Sequence, residues 1–136
     1  MQGLNTTPLH AHTALFGVYG MLGIGLMLFC LRGLSGPKAW KTKLLRFSFW
    51  TLNIGLFTMA VTSLLPVGIF QTIASMEHGM WYARSAEFLK QNFMQNLVWF
   101  RAVGDTIFAA GIISLTWFII GLKTGKSLES NPSESD

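Results

Sequence analysis

The sequence reads as an all-α membrane protein with three transmembrane helices, and three observations carry that reading. Hydrophobic residues make up 51% of the 136 positions and charged residues only 12%, whereas soluble domains carry about 25% charged residues. Three long stretches are nearly free of charge. The basic residues gather between the first two of them rather than along an exposed face. The 14 glycines and 13% aromatic content agree, because Gly is frequent in membrane helices and Trp and Tyr collect at bilayer interfaces.

The first uncharged stretch covers residues 13–31 and ends at Arg32. A crossing needs about 20 apolar residues, and the Thr7-Pro8 pair ahead of it is a start signal. Threonine can cap free N–H groups, and proline suits the first helical position because its missing donor is not needed there. The first span therefore runs from about 8 to 32. No Lys or Arg precedes Arg32, and the apolar run is too long for the core of a signal peptide, so this segment reads as an anchor that stays.

The second stretch, about 47–75, holds no charge but contains Pro66. Proline removes one backbone hydrogen bond, which predicts a kink near Thr62 and Ser63, whose hydroxyls can serve the freed carbonyls. The third span covers about 95–122 and carries Arg101 and Asp105, four residues apart on one helical face. Residues 124–136 are polar, turn acidic at the end, and read as a disordered cytoplasmic tail. The organisation is thus one membrane domain, 1–123, and a tail.

Orientation follows from the loops. The first holds Arg32, Lys38, Lys41, Lys43 and Arg46 with no acid. The second balances Arg84, Lys90 and Arg101 against Glu77 and Glu87 and is rich in rings: Trp81, Tyr82, Phe88, Phe93, Trp99 and Phe100. Short basic loops stay cytoplasmic and aromatic residues form interfacial belts. The N-terminus is then outside and the C-terminus inside, with a short helix of the second loop lying in the outer headgroup region. The net charge of +4 does not indicate nucleic acid, since its basic residues sit in one membrane-flanking loop. Cys30 is the only cysteine, which excludes an internal disulfide and a Cys-pair metal motif.

His10 and His12 carry the chemistry. Two residues on an α-helix are about 200° of rotation, so the two imidazoles leave opposite faces and cannot share one metal ion. Two planar cofactors, one on each side, can each take one of them, since neutral imidazole is an axial ligand of haem iron. Ala11, Ala14, Gly17 and Gly20 would let large rings approach. Spacing alone leaves a second reading open, in which both histidines simply rest in the headgroup zone.

The stretch Leu9-His10-Ala11-His12-Thr13-Ala14-Leu15-Phe16-Gly17-Val18-Tyr19-Gly20 resembles the tenth core helix of haem–copper-type terminal oxidases. More narrowly it resembles the catalytic subunit of quinol-dependent nitric oxide reductases. Glu77-His78-Gly79-Met80-Trp81-Tyr82-Ala83-Arg84-Ser85 and Arg101-Ala102-Val103-Gly104-Asp105 agree with it, so that the likeness extends to about Lys123. It implies the last three of roughly twelve core spans in a bacterial inner membrane. By position, His10 would be the proximal ligand of the high-spin haem iron and His12 one axial ligand of the low-spin haem iron, both haem b. Arg84 lies at the depth where haem propionates would emerge, though an interfacial arginine often only snorkels. Glu77 and His78 read as a solvated pair or, less simply, a proton-conducting or propionate-binding one.

The resemblance also says what this chain does not supply. The second ligand of the low-spin haem, the three histidines of the non-haem iron and its nearby glutamates belong to earlier spans. The expected partners are therefore the remaining transmembrane spans, lipid, and quinol or a c-type cytochrome as electron donor. Reduction of two NO to nitrous oxide and water is expected only of the complete assembly. The alternatives are a fragment of a dioxygen-reducing oxidase, a cofactor-free three-pass assembly or interaction protein, and a non-functional gene remnant.

Overall fold

The computed structural model describes residues 4–36 and 38–129. Three helices in it are long and apolar enough to cross a membrane: α1, Thr6–Leu34; α2, Thr42–His78; and α5, Asn92–Lys123. Two single-turn helices, α3 (Met80–Ala83) and α4 (Ala86–Leu89), join the second to the third. No strand forms among the described residues, which makes the fold an all-α helical assembly. At about 1.5 Å per residue the 37 residues of α2 reach about 55 Å, well past a hydrocarbon layer of about 30 Å. Its charged ends (Lys43 and Arg46 at one, Glu77 and His78 at the other) therefore extend beyond the apolar layer. Hydropathy registers only the uncharged middle, which is why the sequence reading drew the helix shorter.

Two helices change register along their length. In α1 the α-helical Thr6–His10 gives way to a π-helical Ala11–Gly20 and then to α-helical Met21–Leu34, with Met21 N–H reaching back five residues to the Phe16 carbonyl. In α2 the π segment Ala60–Leu64 lies just ahead of Pro66, and Leu65 N–H bonds the Ala60 carbonyl. A proline ring crowds the carbonyl four residues back, here that of Thr62, and a wider turn accommodates it. Thr62 Oγ1 donates to the Thr58 carbonyl at 2.7 Å, so its hydroxyl serves an earlier turn.

Helices α2 and α5 cross closely because glycines let them. A Cβ on Gly55 would stand 2.6 Å from the Phe108 backbone N, and one on Gly104 would stand 2.7 Å from that of Met59. Buried Ser48 donates its hydroxyl to the Gly111 carbonyl at 2.9 Å. Small residues and interhelical hydrogen bonds are what hold helices together where lipid removes the hydrophobic drive.

The end of the bundle where α1 begins and α2 connects to α5 is closed by a buried cluster of Leu4, Val67, Ala74, Ala83, Phe88 and Met94. Ser85 caps α4 by accepting the Phe88 N–H at 3.2 Å. Phe88, expected in an exposed aromatic belt, is instead part of this core, because the one-turn cap folds its ring inward against Tyr82 at 5.6 Å. Trp81, Phe93, Trp99 and Phe100 are exposed.

At the opposite end, residues 124–129 fold back on the first loop. Lys41 N–H donates to the Ser127 carbonyl and Glu129 N–H to the Ala39 carbonyl, each at 2.8 Å, forming an antiparallel bridge at Trp40 and Leu128. Ser127 is buried and donates its hydroxyl to the Phe118 carbonyl at 3.1 Å. Polar backbone of the tail is thereby satisfied by the first loop. The rest of that expected tail, 130–136, lies outside the described residues.

Candidate haem-ligating site

The helix that carries both histidines starts two residues earlier than Thr7 capping would require. Thr6 is its first residue and Asn5 its cap position, with no side-chain capping bond. Asn5 is engaged across the interface instead: its backbone N–H and its Nδ2 donate to Gln71 Oε1 at 2.7 and 3.0 Å. Gly68, three residues before Gln71, admits Thr6, since a Cβ there would meet Thr6 Cγ2 at 2.9 Å. Further along, Phe16 meets Phe108 edge-on at 4.8 Å. Beyond that the helix leaves its neighbours, and no residue of its apolar stretch is buried within the chain. A cavity of about 530 Å³ opens there, between Met21, Ile24 and Leu28 on one side and Leu45, Phe49 and Leu52 on the other.

The two histidines occupy different surroundings. His10, the last residue before the register change, is exposed, whereas His12 is half-buried. His12 Nδ1 lies 2.7 Å from the Pro8 carbonyl. A carbonyl only accepts, so Nδ1 carries the hydrogen and the neutral ring keeps its lone pair on Nε2. The neighbouring Thr13 Oγ1 donates to the Leu9 carbonyl at 2.8 Å. Widening from α to π register loosens the backbone ladder where these two side chains supply donors of their own.

This donor set suits axial ligation. A ring whose Nδ1–H is held by backbone has a fixed orientation and leaves Nε2 open to a metal, the arrangement metal-bound imidazoles generally have. His12 has this arrangement, and His10 offers an exposed imidazole. Among the described residues no group of three or more His, Cys, Asp or Glu is arranged to hold a metal ion. The small residues divide in their use. Gly17 lies against Leu56, whose Cδ2 would be 3.3 Å from an added Cβ, and Gly20 is shielded by the Phe16 ring, so these two glycines are covered from within the chain.

Arg84, exposed, ends the one-turn helix α3, and its backbone N–H bonds the Trp81 carbonyl at 3.3 Å. The residue before it, Ala83, is fully buried, and its carbonyl accepts from Gln71 Nε2 at 3.1 Å. Gln71 was not singled out in the sequence. The signal was a neutral amide inside a charge-free apolar run, a group whose burial is costly unless hydrogen-bonded. Glu77 and His78 stay solvated, 64% and 60% exposed with 3.9 Å between them. Arg101 Nε and Asp105 Oδ2 pair at 3.4 Å on a half-exposed face of α5.

No curated protein matches the chain significantly. Over residues 1–107 it matches the family described as Cytochrome C and Quinol oxidase polypeptide I.

Proposed function

Because the chain belongs to the cytochrome c and quinol oxidase polypeptide I family, we propose that it is the haem-ligating, three-span portion of a membrane-bound respiratory reductase that converts two NO to nitrous oxide and water. The observation that carries this reading is the His12 ring, whose Nδ1–H is held on the Pro8 carbonyl at 2.7 Å so that Nε2 is left to bind iron. Haem supplies the redox chemistry when bound.

In this reading His12 is an axial ligand of the low-spin haem b and His10, two residues nearer the helix start, the proximal ligand of the high-spin haem b. Arg84 holds a propionate. The chain's third histidine, His78, is exposed at the far end of α2, so ligands for a non-haem iron come from other spans. Those spans and lipid are its partners, and the unpaired apolar length of α1 is the surface that would receive them. The basic first loop places that end in the cytoplasm of a bacterial inner membrane, with the N-terminus outside. The resemblance of the His10 to Gly20 stretch and of the later motifs supports NO as substrate and quinol, rather than a c-type cytochrome, as electron donor.

The test is a reduced-minus-oxidised spectrum of the membrane complex containing this chain. His12→Ala should abolish the low-spin haem b bands; an unchanged spectrum, or a wild-type complex that is colourless, overturns the assignment. Dioxygen is the second reading, favoured by the oxidases for which the matching family is described. Uptake of NO against dioxygen by the same complex separates the two.

A further inference from the structure

Gln71 lies in α2, away from both histidines in sequence, yet its amide is spent entirely on the segments that carry the candidate ligands. Its side chain is 3% exposed. The oxygen takes two donors from Asn5, at the start of the helix bearing His10 and His12, and the nitrogen donates to Ala83, adjacent to Arg84. We infer that Gln71 is a positioning residue, which fixes the start of α1 and the Arg84 turn to one point so that His10, His12 and Arg84 keep one mutual placement. This rests on the reading just proposed.

Three features of the structure give the inference its force. Asn5 occupies the cap position of α1 but makes no capping bond, so its carboxamide has gone to Gln71 rather than to its own helix. Gly68 stands on the same face of α2 three residues earlier and leaves room only for Thr6, which sets the depth of the contact while Gln71 sets its direction. Past Gly17, which lies against Leu56, the apolar stretch of α1 diverges from α2 along the cavity and has no buried residue among those described. The placement of His10 and His12, five and seven residues past Asn5, therefore depends on this anchor. An alkyl side chain of the same length keeps the volume but leaves the Asn5 and Ala83 groups without partners, a costly state inside a membrane protein.

The experiment compares wild type, Gln71→Leu, Gln71→Glu and Asn5→Ala in the membrane complex by amide hydrogen exchange and by the resonance spectrum of the low-spin haem. Gln71→Leu should speed exchange over residues 4–12 roughly tenfold, about the factor that one net hydrogen bond supplies. It should also shift or broaden the low-spin haem signal while haem content stays near normal. Gln71→Glu keeps the acceptor for Asn5 but loses the donor to Ala83. It should restore protection at Asn5 and leave the Arg84 turn loosened. Asn5→Ala, which alters no residue of α2 and removes only the Nδ2 bond to Gln71, should also speed exchange over this segment, from the opposite partner. Unchanged exchange and an unchanged haem signal in Gln71→Leu and Asn5→Ala overturn the inference. A wild-type complex without haem overturns the functional reading on its own, and the exchange arm still decides whether Gln71 anchors the segment.

Discussion

At the scale of single residues, His10 and His12 differ in what they owe to the fold. His12 is tied to Pro8 through its ring, whereas His10 is exposed. His10 is exposed within this chain, so on the proposed reading His10→Ala should leave the packing of the three helices and the low-spin haem bands intact. NO uptake should nevertheless fall to background, because the reacting haem would lose the ligand proposed for it. Uptake within twofold of wild type in that variant would refute the role given to His10. The histidine pair was legible in the sequence because ionisable residues at the edge of an apolar span are rare and separated by a telling two positions. The Pro8 bond was not, since it depends on side chains serving carbonyls where the helix widens. Gln71 was missed for a related reason: an amide inside an apolar run has no meaning until its partners 66 residues upstream and 12 downstream are known.

At the scale of helices, the α2–α5 crossing is governed by backbone proximity rather than by side-chain volume. A Cβ at Gly104 would lie 2.7 Å from the Met59 backbone N, and a backbone atom cannot swing aside as a side chain can. Gly104→Val should therefore push the helices apart and lower stability by about 1–3 kcal/mol, the usual cost of overpacking. Gly23→Val serves as the comparison, because nothing lies within 4 Å of a Cβ there. Thermal unfolding in a mild detergent should separate the two variants; equal losses would mean that the glycine contact does not set the crossing. Three spans were legible from charge-free length, whereas the change to π register at Ala60–Leu64, just ahead of Pro66, was not. The full extents of the spans were not legible either, because Lys43, Arg46, Glu77 and His78 sit on helix that continues past the apolar layer. Nor did periodicity distinguish an exposed Phe93 from a buried Phe88, since that depends on how two single-turn helices fold over the bundle end.

At the scale of the whole molecule, the two ends of the bundle are fastened by separate devices. Gln71, Gly68 and the cluster around Phe88 and Met94 close the end where α1 begins, while the pairing of 39–41 with 127–129 closes the opposite one. Between them α1 diverges from α2 along the cavity, so few contacts carry strain from one end to the other. Sites that share no partners act nearly independently. Ending the chain after Gly125 removes the Lys41 and Glu129 backbone bonds and the Ser127 hydroxyl bond to Phe118. It also uncovers the Trp40 ring, which meets Phe118 edge-on at 5.4 Å. The truncated chain should show faster amide exchange around Lys41 and a red-shifted, more quenchable tryptophan emission, with melting lowered by several degrees for the roughly 1–2 kcal/mol that a few such bonds contribute. Exchange over residues 4–12 should stay as it was, because nothing in the strap reaches the Gln71 anchor. If the truncation loosens that segment as well, the ends are coupled through α1. The splayed later half of that helix would then be held in the complex by contacts that run through the tail rather than by the Gln71 anchor alone.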